Sequence, residues 1–317
     1  MADKFITFLD LTKRSGNDAA VGLVEEVTTH APELSVVRGR SIPGTSFKTK
    51  VRTALGKRAA GSGQLFRNAN EGVDTTASTF AQKVSQCYFM DVQMQVDEAL
   101  ASGTGEGDSM GELLTDEANG AFQESSIELG SQFYDGTDDD DKGFPGLKAA
   151  AGTDLVVDAL GTGSRSRVWF IWNDPKGVQF VFGNGQGLEV GEWERQQVTD
   201  ANSKKFFAYV NNAKAWIGLS VQHSKSLGYI HSCNTAKPMT DALAAELMSK
   251  FPVGMKPNLC FMNRDAAFQL QKSRSATSIT NSSAKAATGR DVFAPAPTET
   301  QGVPIVVTDS IVAADAD

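Results

Sequence analysis

The chain has 317 residues, a formal net charge of -8 and a hydrophobic fraction of 40%, enough for a sizeable core in one large or two smaller domains. The charged fraction of 21% argues against global disorder, and no window approaches the ~20 apolar residues of a membrane-spanning helix. The first residues, MADKFITFLDLTKRSG, contain acids and no continuous apolar segment, so we expect no signal peptide. The three cysteines, Cys87, Cys233 and Cys260, lie far apart, and we expect buried thiols rather than a disulfide framework or a zinc site.

The N-terminal part of the chain is predicted to form a short helix and then a long hairpin. Residues 17–30 have helical periodicity, with Asn17 as the N-cap and Pro32 as the stop. Residues 46–55, SFKTKVRTAL, alternate with period 2, which places Lys48, Lys50 and Arg52 on one face of a strand. A loop follows, and residues 64–73 are predicted to be the return strand. Because an isolated two-stranded hairpin is marginally stable, we expect it to lie on another surface.

Charge is distributed very unevenly over the first 141 residues. The segment 34–70 has eight bases and no acid: Arg38, Arg40, Lys48, Lys50, Arg52, Lys57, Arg58 and Arg67. The segment 84–141 has fifteen acids and no base. Two adjacent blocks of opposite charge indicate complementary surfaces.

The acidic block is predicted to contain a strand and then a long helix. Residues 80–100 begin with strand-like alternation, and residues 109–133 have an apolar stripe with helical spacing. Acids recur along this helix at Glu112, Asp116, Glu117, Glu124 and Glu128. A helix with this many acids is either a solvated face or the partner of a basic surface.

The remainder of the chain is predicted to mix strands with two helices. Apolar runs that suggest strands occur at 167–172, 177–183, 205–212, 215–222, 257–263 and 303–311. Helices are predicted at 239–252, with Thr240 as the cap, and at 264–274. Residues 275–289, SATSITNSSAKAATG, are predicted to be a polar, mobile loop.

Motifs that could carry chemistry are few. The run Asp138–Asp141 could hold a divalent cation, but it lacks the pattern of an EF-hand, and a solvated loop is favoured. GNGQG at 183–187 is better interpreted as a hairpin turn than as a phosphate loop, and the three histidines form no catalytic motif. Asp309, at a strand end, is assigned a turn or capping role. The hairpin offers few aromatics for nucleic-acid stacking. No catalytic residue, cofactor or metal is therefore predicted, although an α/β enzyme with an acidic metal loop remains an alternative.

The order of these parts resembles the major capsid proteins of tailed bacteriophages, which have the α+β HK97-like fold. SIPGTSFKTKVRTAL and GQLFRNANEGVD resemble an E-loop, the extended hairpin of that fold. RVWFIWNDPKGVQFVFGNGQGLEVGEW and AWIGLSVQHSKSLGYIHSCN resemble a β-rich insertion. PNLCFMNRDAAFQLQKSRS and TQGVPIVVTDSI resemble the end of the A-domain. The resemblance covers nearly the whole chain, and an encapsulin-type nanocompartment shell is the alternative with the same fold.

This resemblance implies four parts: an N-terminal arm (1–37), an E-loop (38–76), a P-domain with a spine helix (77–140) and an A-domain (141–317). The A-domain would include the β-rich insertion (about 165–233) and the final strand. It also implies self-assembly into hexamers and pentamers of an icosahedral shell around double-stranded DNA. The E-loop cations Lys48, Lys50, Arg52, Lys57, Arg58 and Arg67 would contact the acidic helix of a neighbouring subunit.

Further partners also follow from the resemblance. The chain shows no long coiled-coil extension before the helix at 17–30, so a separate scaffolding protein is expected, with a portal protein at one vertex and a decoration protein left open. No membrane is involved, and DNA is enclosed without sequence-specific binding. The protein would be located in the virion capsid, assembled in the bacterial host cytoplasm.

Overall fold

A computed structural model describes residues 29–55, 69–70, 72, 77–103, 110–137, 142–163, 165–185, 187–200, 202–281 and 294–311, with only the backbone for 276–281. The strands are β1 (Gly39–Ser41), β2 (Ser46–Ala54), β3 (Thr79–Gln86), β4 (Tyr88–Asp97), β5 (Val156–Asp158), β6 (Ser166–Ile171), β7 (Val178–Phe182), β8 (Glu189–Val190), β9 (Glu194–Thr199), β10 (Lys205–Val221), β11 (Leu227–Cys233), β12 (Leu259–Met262), β13 (Glu299–Thr300) and β14 (Val303–Val307). The helices are α1 (Glu33–Val36), α2 (Glu98–Ser102), α3 (Met110–Asp135), α4 (Leu147–Ala150), α5 (Asp241–Lys250) and α6 (Arg264–Asn281).

The described strands form three sheets. The first has the order β1-β7-β10-β4, with β8 and β9 also paired to β10. The second has the order β13-β14-β12-β6-β11-β5, and the third is the two-stranded hairpin β2-β3. The predicted insertion at 165–233 contributes strands to both large sheets, because β7 to β10 lie in the first and β6 and β11 in the second.

One of the two main cores among the described residues fills the space between the two six-stranded sheets and the end of α3. It contains aromatic side chains from all three, including Phe133 on α3, Phe180 on β7 and Phe261 on β12. The Phe133 ring centroid lies 5.2 Å from that of Phe180 and 6.1 Å from that of Phe261. A second core packs α5 and α6 against the other face of the second sheet.

Most helices and strands predicted from local patterns are confirmed. Helix α3 spans 110–135, and Thr240 caps α5 by accepting a hydrogen bond from the Leu243 amide at 3.3 Å. The runs predicted at 205–212 and 215–222 form one continuous strand, β10, because β4 pairs with it across the polar break between them. Cys87, Cys233 and Cys260 are free and buried, as expected.

The polar loop predicted at 275–289 is wrong in its first part, since α6 continues to Asn281. Tertiary contacts extend the helix. Arg274 forms a two-pronged salt bridge with Asp241 at 2.7 and 2.8 Å, and the Ser275 hydroxyl accepts the amide of Ala294 at 2.8 Å. The remainder of that loop lies outside the described residues, as does nearly all of the helix predicted at 17–30.

Candidate assembly surfaces

The outer face of β2 carries cations. Lys48, Lys50 and Arg52 are exposed. Phe47 and Thr49, which alternate with these cations along the strand, are half-buried on the opposite face. This alternation is the one that the sequence predicts. Lys57, Arg58 and Arg67 lie outside the described residues.

The partner of β2 is β3, not the return strand predicted at 64–73, most of which lies outside the described residues. In the register of this pair, Val84 is opposite Lys48, and Phe80 is opposite Arg52. Directly opposed residues share a face, so the cationic face also displays Phe80 and Val84, which are 57% and 53% exposed. The Arg52 guanidinium lies 5.4 Å from the centre of the Phe80 ring. This apolar component was not predicted, although the alternation in TFAQKVSQ indicates it.

The hairpin is tied to the subunit at its base. The Ser85 hydroxyl donates to the Ser220 hydroxyl at 3.2 Å, and the Gln222 amide group donates to Ser85 at 3.3 Å. The backbone amide of Cys87 donates to the Thr45 carbonyl at 2.8 Å. Burial lowers the pKa of Lys83 in the same strand. The base of the hairpin is therefore fixed to the subunit. Among the described strands, β2 and β3 pair with each other and with no third strand.

Within the part of the chain that the structure describes, the buried residues of helix α3 lie near its two ends. Its buried residues are Leu113 and Leu114 near the start and Leu129, Gly130, Phe133 and Tyr134 near the end. None of the residues 115–128 is buried. Burial of the two ends holds the helix in place, while its middle is at most half-buried by the described residues.

The predicted acids lie along this helix. Glu112, Glu124 and Glu128 are exposed, and Asp116 and Glu117 are half-buried. Within the described part of the chain, Lys48 and Lys50 form no salt bridge. The structure thus places the cations and the acids on separate surfaces of one subunit.

A cleft of about 260 Å³ lies between the start of β4 and the second half of α3. Leu129, Phe144 and Ile217 form its apolar floor. Asp91, Glu128 and Lys142 are among the residues at its exposed edge. The cleft was not predicted, because its walls come from segments that are distant in sequence.

Catalytic arrangements have weak support. His231 Nδ1 lies 2.8 Å from the Ser232 hydroxyl and 3.7 Å from Asp158. Both groups meet the same ring nitrogen, whereas a nucleophile triad uses the two nitrogens separately. Asp309 accepts hydrogen bonds from the His30 amide at 2.8 Å and from Arg264 at 2.5 Å, which is a structural role.

The described residues form neither a metal cluster nor a membrane-spanning helix. Among the described residues, no three His, Cys, Asp or Glu side chains cluster as a metal site, and Asp138–Asp141 lie outside them. Across the same residues, no helix combines the length and apolarity needed to cross a bilayer.

One solved phage structure shares this fold, and others are similar to it over part of the chain. A protein of bacteriophage Epsilon15 superposes with a TM-score of 0.74 at 16% identity, covering 100% of this chain and 98% of that one. A Mycobacterium phage Adephagia protein gives a TM-score of 0.49 at 12% identity over 72% of this chain and 98% of that one. The Synechococcus elongatus SrpI encapsulin gives 0.48 at 6% identity over the same shares of the two chains. Among curated protein sequences there is no match.

The fold that the chain shares with the Epsilon15 protein is the HK97-like fold. The model of the family "Major capsid protein GP7" matches residues 37–317, so the chain belongs to that family. It is a structural protein of the virion, the major capsid protein of a tailed bacteriophage, and it assembles into the capsid shell. The family favours this over the encapsulin alternative.

Proposed function

We propose that the subunit forms hexamers and pentamers of an icosahedral head, in which the hairpin of one subunit lies along α3 of the next. The supporting observation is the separation of charge within one subunit. Among the described residues, Lys48, Lys50 and Arg52 are exposed on a hairpin tied to the subunit at its base, and the acids lie on a helix with no buried residue from 115 to 128. Repeated heterologous contact of this kind closes a ring around a symmetry axis.

Charge complementarity gives this contact its register. Opposed surface charges contribute more to specificity and orientation than to raw affinity. Exposed pairs are also screened, since the Debye length falls from ~10 Å at 0.1 M salt to ~3 Å at 1 M. Subunit rings should therefore dissociate more readily at high salt.

The shell encloses double-stranded DNA without reading its sequence. The net charge of -8 suits this role, because a strongly basic inner wall would hold the DNA and hinder its packing and ejection. A separate scaffolding protein directs assembly, a portal protein occupies one vertex, and the outer surface is open to a decoration protein. The subunit holds no cofactor and catalyses no reaction.

Reversing the charge of the three cations on β2 tests the proposal. The variant Lys48→Glu/Lys50→Glu/Arg52→Glu should remain folded, with an unchanged thermal midpoint, but should fail to form shells. Adding Glu124→Lys and Glu128→Lys should restore assembly in part. A matched control reverses three exposed cations elsewhere, Lys204, Lys205 and Lys237, and should assemble normally.

Two results would contradict the proposal. Normal shells from the reversed hairpin would show that the cations are not at a subunit interface. A large fall in the thermal midpoint of the free subunit would show that the hairpin packs on its own subunit instead.

A further inference from the structure

The hairpin and the cleft beside α3 complement each other in shape and polarity as well as in charge. We propose that Phe80, with Arg52 stacked on it, is an anchor that inserts into the cleft between β4 and α3 of a neighbouring copy of this chain. This inference rests on the proposed function and specifies which side chains make the contact.

The anchor is exposed and is not an isolated apolar residue. Phe80 is 57% exposed, and Val84, four residues along the strand on the same face, is 53% exposed. The Arg52 guanidinium lies over the Phe80 ring at 5.4 Å, so the ring and the charge project together. Burying one aromatic side chain with a neighbouring arginine is typical of interface residues that dominate binding.

The cleft offers groups that match both parts of this pair. Its floor of Leu129, Phe144 and Ile217 is apolar, and its volume of about 260 Å³ accommodates one aromatic ring. Asp91 and Glu128 stand at its edge, in position to pair with a guanidinium. Lys142 is also at the edge, so acids outnumber bases there.

The occupant is a second copy because a subunit's own Phe80 does not reach its own cleft. Strand β3 extends from Phe80 to the hairpin base at Gln86, which at the usual rise is about 20 Å. Beyond that base, β4 begins at Tyr88 and runs along β10 to form the wall of the cleft. A second copy's hairpin is free of this constraint, and its Arg52 is opposite in charge to Asp91 and Glu128 at the cleft edge.

Thiol crosslinking between two kinds of subunit tests the contact. Shells are co-assembled from Phe80→Cys subunits and Ser125→Cys subunits, since Ser125 lines the cleft on α3. A short bismaleimide should then give a covalent dimer on a denaturing gel. The dimer should be absent from unassembled subunits and from shells of either variant alone. The native thiols give little background because burial raises their pKa, that of Cys233 to about 12.

A second pair separates failure of this inference from failure of the proposed function. Lys50→Cys and Glu124→Cys subunits report whether the hairpin lies along α3 at all. A dimer from this second pair without one from the first would overturn the Phe80 anchor and leave the proposed function standing. Absence of both dimers from intact shells would overturn both.

Assembly measurements give an independent test. Phe80→Ser should raise the critical concentration for assembly at least about tenfold, while Phe80→Leu should recover part of the loss. The thermal midpoint of the free subunit should not change, because the ring is mostly exposed there. Val253→Ser, at a position 91% exposed on another part of the molecule, should assemble at the wild-type concentration. Assembly of Phe80→Ser at the wild-type concentration would contradict the anchor.

Discussion

The two ends of α3 and its middle are built differently. At its end, the helix is enclosed by β7, β12 and the segments around α1 and the last strand, and Phe133 is fully buried. In its middle, the apolar side chains, such as Phe122, are only half-buried. The same helix therefore stabilises the subunit at its ends, and between them it is the surface that we propose another subunit contacts.

The second sheet and the hairpin show the same contrast between buried and exposed side chains. The second sheet and its helices are joined by closed networks, such as the one in which Asp241 accepts hydrogen bonds from Arg274 and Thr300. The hairpin instead leaves its cations and Phe80 in solvent. Substitutions in the first region should change the unfolding of the free subunit, and substitutions in the second should change assembly.

The sharpest test replaces a phenylalanine in each part of α3. Phe133→Ala should lower the free energy of unfolding of the free subunit by about 3–5 kcal/mol, because it opens a cavity among tightly packed rings. Phe122→Ala should cost less, about 1–2 kcal/mol in the same denaturant titration, because that side chain is only half-buried. Similar losses for both variants would remove the distinction.

The end of α3 also depends on a glycine at a close crossing. A Cβ at Gly130 would overlap the Ser310 hydroxyl and lie 3.0 Å from Glu33 Oε2. Glu33 and Ser310 are themselves buried, so they have little room to move. Gly130→Ala should therefore destabilise the free subunit by about 1–3 kcal/mol, measured by thermal or denaturant unfolding. An unchanged stability would show that Ser310 can rotate away without cost.

The network around Asp241 should make stability depend on pH. Hydrogen bonds from Arg274 lower the pKa of Asp241 below its usual value. A lowered folded-state pKa means that the stabilisation is complete above the unfolded pKa of ~4 and is lost as pH falls through the folded value. Asp241→Asn should cost about 1 kcal/mol at neutral pH and flatten the loss of stability below pH ~4.

The matched control for this prediction is Asp154→Asn. Asp154 is mostly exposed and lies 3.9 Å from Lys225, a weak surface pair. It should leave both the neutral-pH stability and the acid slope unchanged. Equal acid slopes in the wild type and Asp241→Asn would show that other carboxyl groups control the acid response.

The smallest expected effect lies in the open middle of α3. Gly120 is exposed, and a Cβ there would meet no atom within 4 Å. Gly120→Ala should stabilise the free subunit by about 0.5–1 kcal/mol through helix propensity alone. The opposite signs expected for Gly120→Ala and Gly130→Ala make these two glycines a direct comparison of the open and closed parts. Loss of assembly in Gly120→Ala with normal subunit stability would place a neighbouring backbone against this position.

Local patterns in the sequence were sufficient to predict several helices and strands and the charge on their exposed faces. Alternation in 46–55 and helical spacing in 109–133 predicted β2 and α3, and the cap at Thr240 was correct. The uneven charge predicted which faces of these elements would carry cations and acids. These features depend on side-chain periodicity within one segment, and periodicity is fully visible in the sequence.

The tertiary structure decided the pairings between segments. The partner of β2 is β3, which begins 25 residues after β2 ends, and this register alone places Phe80 beside Arg52. The cleft likewise combines β4, α3 and the residue Ile217 of β10. Helix α6 runs on through a polar segment because Arg274 binds Asp241 of another helix. Sequence periodicity determines which face of an element is apolar, but long-range packing determines what that face meets.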